Sequence, residues 1–152
     1  MDDQGGMSTI VKVVTRWLFG LIVVFGLAVA LFGHVTPGGG FAGGVILACG
    51  FVLATLAFGA KQGPAAWLKR AASSLDATGA LAFLVVGLLG FTAGHFLQRW
   101  IALGEPFTLG STWFVVLLNV AILLKVGTGL FAGFRAIAMF EGARRALKEK
   151  AS

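Results

Sequence analysis

Gly33-His34-Val35-Thr36-Pro37-Gly38-Gly39-Gly40-Phe41-Ala42-Gly43-Gly44 is the stretch on which the reading of this chain turns. It joins two long apolar runs, yet it holds six glycines, a proline and one of only two histidines. Proline fixes φ and lacks an N–H, while successive glycines allow φ > 0 and close backbone approach. These residues predict a tight, side-chain-poor turn that another backbone, an ion or a partner helix can approach. A plain compact hairpin turn is the simpler reading of the same signals.

Outward from the turn, everything is apolar. The 152 residues are 58% hydrophobic and 12% charged, with mean hydropathy +0.94. A soluble domain would carry about a quarter charged residues. Four apolar runs, 13–33, 41–60, 75–97 and 112–134, come close to the roughly 20 residues that a membrane helix needs. The fold class is therefore an all-α membrane protein of four transmembrane helices. It forms a single transmembrane domain over residues 1–152, closed by a basic tail over 135–152. A signal peptide is a poor account of the first run, which is long for a signal core; cleavage after Ala28-Val29-Ala30 would also strand the glycine turn at a ragged end. Pro64 suits the first residue of a short surface helix, and Ser73 with Asp76 resembles a capping box opening the third span.

Orientation follows from the basic residues. Ten of the twelve Lys and Arg fall in the N-terminal segment, the second loop and the tail, whereas the glycine turn has none and the third loop only Arg99. The positive-inside rule then puts both termini in the cytoplasm and the glycine turn outside, as a hairpin between the first two spans. Trp17, Trp67, Trp100 and Trp113 all fall near span ends, as interfacial anchors do. A net charge of +6 arranged this way speaks of orientation and a lipid bilayer, not of nucleic acid.

The twelve-residue motif, set at the end of a first span and followed by three more, resembles the signature of the MnhB/MrpB family. That family is the B subunit of Mrp-type multisubunit sodium/proton antiporters; the related subunit of membrane-bound hydrogenase-type complexes carries a similar motif. The residues that carry the resemblance are Gly33, His34, Pro37, Gly38, Gly39, Gly40, Phe41, Gly43 and Gly44. It implies a non-catalytic subunit that supports or lines an ion path within an assembly exchanging Na⁺ and H⁺. It also implies other integral membrane subunits as partners, no cofactor, and the cell membrane as its location. The same resemblance leaves room for a redox-driven ion-pumping complex. In the antiporter B subunits the fourth span tends to carry an acidic residue. This chain offers Asn119 there, which points away from sodium binding by the chain itself. A standalone homo-oligomeric carrier and a purely structural scaffold are the readings from other classes.

Few side chains within the spans could carry chemistry. Lys125 lies near the middle of the fourth span, where a lysine costs at least about 2.5 kcal/mol on insertion scales, so it should face protein or water. Ala121, Lys125, Gly129 and Gly133 share a helix stripe, and small residues mark packed faces. Lys125 thus belongs to a polar axis, or else pairs structurally with a neighbouring subunit. Asp76 is the obvious partner, but a start at the inner surface would leave it a span end away from a lysine about 16 Å deep. Arg135 is then the better partner for Asp76, and Asp76 reads first as a helix N-terminal charge. Asn119 lies six residues from Lys125, on a different face, and reads as a hydrogen-bonding contact between helices.

His34 and His95 end the first and third spans and could titrate near neutral pH; each equally suits an interfacial position. Glu105 reads as a solvated loop charge, and the lone Cys49 as a small buried hydrophobe. Asp76, Gly79, Phe83, Gly87, Gly90 and Gly94 recur at intervals of three or four, a packing stripe along the third span. Lys125, His34, Asp76 and Asn119 are the ion-path candidates; Gly87, Gly90, Gly94, Gly129 and Gly133 are the packing candidates. There is no nucleophile–base pattern, metal-ligand spacing or phosphate loop, so the sequence predicts neither an enzyme nor a metal site.

Overall fold

The computed structural model describes residues 7–33, 37–59, 64–94 and 113–150. They form four α-helices: α1 Thr9–Leu31, α2 Gly39–Phe58, α3 Pro64–Leu89 and α4 Trp113–Lys150. A short 3₁₀ turn, Gly90–Ala93, extends α3. No strand occurs among the described residues. All four helices are long and apolar enough to cross a membrane, so the chain is a multi-pass membrane protein.

The boundaries have local causes. Gly38 (φ +155°) and Gly39 (φ +79°) lead into α2 through backbone that a side chain resists. Gly59 (φ +82°) closes the same helix, its N–H donating to the carbonyl of Thr55 at 3.0 Å. Pro64 opens α3, where a missing N–H costs nothing.

The helices pack as a row. α1 lies on α2, α2 on α4 and α4 on α3, with only minor contact between α1 and α4 or α2 and α3. Alternate helices run in opposite directions. Gly33 of the turn faces Gly39, Gly26 faces Gly43, and Ile22 faces Gly50, so α1 and α2 are antiparallel. α2 and α4 run parallel, with Gly40 against Asn119 and Gly44 against Val126. The most buried large side chain is Phe131, which packs with Leu68, Leu75, Val52 and Phe51; Phe51 also meets Phe19 edge-on at 5.2 Å.

Glycine sets how closely the row can pack. A methyl group added at Gly40 would stand 2.1 Å from the carbonyl oxygen of Asn119. One at Gly43 would meet the Gly26 carbonyl oxygen at 2.6 Å, and one at Gly44 would meet the Val126 Cβ at 2.9 Å. One face of α2 therefore abuts the backbone of α1 and another the backbone of α4. Gly40-x-x-x-Gly44 makes the α4 contact, in keeping with small residues at membrane helix contacts.

Several expectations from the sequence need correction. The third helix begins at Pro64, not 75, so no separate surface helix forms and Ser73 and Asp76 lie well inside α3 instead of capping it. Nothing between Pro64 and Leu75 breaks a helix. Alanine, leucine, lysine and arginine favour it, and burial of Leu68 and Ala72 ties that segment to the bundle. Among the described residues, the part of α3 long and apolar enough to cross a membrane is Arg70–Leu89. The basic tail is helical through Lys150, continuous with the fourth span in one helix of 38 residues. Cys49 is exposed, not buried. His34, His95, Arg99 and Glu105, and most of the third loop, lie outside the described residues.

Gly40→Ala is expected to destabilise the folded chain by at least about 1–3 kcal/mol, because the clash is with backbone and cannot be relieved by a rotamer. Gly20→Ala, where an added methyl meets nothing within 4 Å, should be close to neutral. Thermal unfolding in detergent, followed by helical circular dichroism, would separate the two.

Candidate functional site

Two polar contacts are built into the apolar row, one on each side of α4. On the α2 side, the backbone N–H of Gly40 donates to Asn119 Oδ1 at 3.2 Å. The first N–H groups of any helix lack intrahelical acceptors. Here the acceptor comes from another helix instead of a capping side chain at Gly38. The contact needs glycine twice, since a methyl group at Gly39 would also stand 3.3 Å from Asn119 Oδ1. The other end of the amide, Asn119 Nδ2, is buried and has no hydrogen-bond partner among the described residues.

On the α3 side, Lys125 Nζ donates to Asp76 Oδ2 at 2.6 Å. The sequence argument had separated these residues by depth, leaving Lys125 without a partner and Asp76 to Arg135. The pairing is the reverse: Asp76 bonds Lys125, and Arg135 takes no part in the ion pair. The error lay in the start of the third helix. With the helix starting at Pro64, Asp76 lies about three turns inside it. A methyl group at Gly79 would lie 3.0 Å from the Lys125 backbone nitrogen, so the Lys125 backbone sits level with Gly79. Asp76 is one helical turn away, about 4.5 Å along the axis, within reach of a lysine side chain. Close approach at Gly79 lets the pair form.

The ion pair is not enclosed by this chain. The Lys125 side chain is 50% exposed and that of Asp76 36%. It opens into a cavity of about 520 Å³ lined by Ser73, Asp76, Lys125, Gly129, Ala132 and Arg135, among others. Gly129 and Gly133 were expected to mark a packed face, but within this chain that face is open. A methyl group at Gly133 would meet nothing within 4 Å, and one at Gly129 only Asp76 Oδ1, at 3.8 Å. Of the other packing candidates, Gly87 and Gly90 are buried, while Gly94 is exposed in left-handed backbone (φ +116°). The contact sequence reasoning missed is Gly26, an isolated glycine that marks a tight crossing only once its neighbour is known, whereas Gly79, in the stripe along the third span, meets the backbone of α4. Among the described residues, no three His, Cys, Asp or Glu side chains come together as a metal site.

Residues 10–132 match the family described as a domain related to the MnhB subunit of Na⁺/H⁺ antiporter. The chain belongs to the MnhB family. An uncharacterized protein of Methanocaldococcus jannaschii is 32% identical over 137 residues, covering 86% of this chain and 52% of that protein. A putative antiporter subunit mnhB2 of Staphylococcus saprophyticus is 42% identical over 55 residues, 36% of this chain and 39% of that protein. A chain in the structure of the membrane-bound sulfane sulfur reductase, an archaeal respiratory membrane complex, superposes with a TM-score of 0.66 at 29% identity. That alignment covers 86% of this chain and 57% of the other. This MnhB-family chain thus spans about half the length, or less, of the relatives it matches.

Asn119→Leu should destabilise the MnhB-family fold by about 1–3 kcal/mol, because it leaves the Gly40 N–H without its acceptor. Asn119→Asp keeps an acceptor oxygen at the same place and should retain most of the stability. Unfolding midpoints of the two variants in one detergent would test this.

Proposed function

We propose that this chain is a non-catalytic membrane subunit of a multisubunit cation/proton antiporter module, and that the Asp76–Lys125 pair borders the ion path. Membership of the MnhB family carries the first part. The pair carries the second: two ionisable side chains bonded near mid-span and opening into a cavity are costly to keep in a membrane without a use. In this reading Na⁺ and H⁺ are the ions moved by the assembly, and the large translocating machinery is in other chains. Lys125 and Asp76 set the local field at the cavity. Asn119 holds α2 to α4 on the opposite face of that helix, and His34, in the glycine-rich sequence, is the remaining candidate. The ends of the helices that carry Lys12 and Arg16, Lys69 and Arg70, and Arg135 and Arg144 lie on one side of the bundle, which suits cytoplasmic termini and an outer glycine turn in a cell membrane.

A second reading has a specific observation in its favour. The likeness to a chain of a respiratory membrane complex suits an equivalent subunit in a redox-driven ion-pumping assembly. The chain would remain non-catalytic there, while the assembly would be an oxidoreductase.

With the complete set of subunits in everted vesicles, Lys125→Ala and Asp76→Asn are expected to lower sodium-dependent proton exchange by about tenfold, the equivalent of roughly 1.4 kcal/mol. Lys125→Arg should retain more activity than Lys125→Ala. Unchanged exchange in fully assembled Lys125→Ala vesicles would reject the ion-path role. Loss of exchange only in step with loss of assembly would leave a scaffold. Gentle purification from the native membrane separates the two assemblies, since cluster-bearing partners would mark the redox-driven one.

A further inference from the structure

We infer that the open α3/α4 face is the seat of a helix from a different integral membrane subunit, and that this helix presents a carboxylate to Lys125 and Arg135. The inference rests on the reading of the chain as a subunit, but not on any role in ion movement.

Charge is the first argument. The cavity holds two cations, Lys125 and Arg135, and one anion, Asp76. The Asp76 carboxylate is already engaged with Lys125, and Arg135 has no share in that contact. One positive charge is left over on a face that, in a single chain, would meet hydrocarbon. Lys125, nearer mid-span, is half exposed even with Asp76 bonded to it, so one anion serves two cations on this face.

Shape is the second argument. The cavity walls are small side chains, Ser73 from α3 and Gly129 and Ala132 from α4, and Gly133 beyond them is open. Small residues on two neighbouring helices leave a shallow furrow in which a third helix can lie close. Among the described residues nothing fills it, although the glycines of α2 are all used internally.

Other occupants fit less well. A lipid headgroup phosphate would balance Arg135 but would leave the furrow of small side chains beside Lys125 unfilled. A second copy of this chain, meeting the first on the same face, would bring its own surplus cation against Lys125 and Arg135. A carboxylate on a different subunit balances the charge and reaches the required depth.

The test uses the intact assembly in native membranes. A photo-reactive phenylalanine analogue is placed at Ala132, and separately at Ser73, and cross-linked peptides are identified by mass spectrometry. The expected product joins this chain to a helix of another integral membrane subunit, with an Asp or Glu within one turn of the linked residue. Lys125→Met should lower the yield of that product several-fold, and Lys125→Arg should restore it. Adducts with lipid alone, with a second copy of this chain, or with a helix lacking a carboxylate would overturn the inference, as would no adduct from either position. Loss of ion exchange in Lys125→Met with the cross-link unchanged would overturn the charge contact while leaving the ion-path role standing.

Discussion

The backbone-to-backbone approach of α4 to α2 at Gly40 is the constraint on which the other contacts depend. A single Cβ there would fall 2.1 Å from the Asn119 carbonyl oxygen, so the crossing exists only because glycine has none. Gly43 does the same against Gly26 of α1, and Gly44 against the Leu123–Val126 turn of α4. Once α2 is seated, Asn119 is close enough to accept from the Gly40 N–H. α4 is then fixed in rotation, which turns Lys125 towards α3. The Asp76–Lys125 bond is thus downstream of a contact on the opposite side of the same helix.

This arrangement gives α4 two polar faces of different character. The Asn119 face is closed, short-range and built on backbone; it contributes specificity of packing, because an apolar substitute would strand a helix N-terminus. The Lys125 face is open and charged. Exposed ion pairs contribute little to stability in water, but an ion pair beside hydrocarbon cannot rely on water for compensation. Its retention is better understood through what lies outside the chain than through the stability of the chain alone.

Much of the fold was legible in the sequence. Four apolar runs of spanning length, separated by polar stretches, define four helices irrespective of packing, and the glycine-rich stretch declared a close approach. The face of Asn119 was also legible, since six residues cannot return a helix to the same side. What misled was the start of the third helix. Ser73 and Asp76 have the spacing of a capping box, and local sequence carries no sign that Leu68 and Ala72 are buried against the bundle. That long-range packing extends α3 back to Pro64, and it shifts Asp76 from the surface to within a turn of mid-span. The isolated glycine at 26 was illegible for a related reason: its role depends on which backbone passes it.

One dimension of the fold bears on how the chain can respond to its surroundings. α4 is continuous from Trp113 to Lys150, 38 residues or about 57 Å, while the hydrocarbon layer is about 30 Å thick. Close to half of the helix therefore projects beyond that layer as a basic rod. Beyond Phe131, the last α4 residue in the buried core, that rod leaves the packed row and carries its positive charge away from the hydrocarbon.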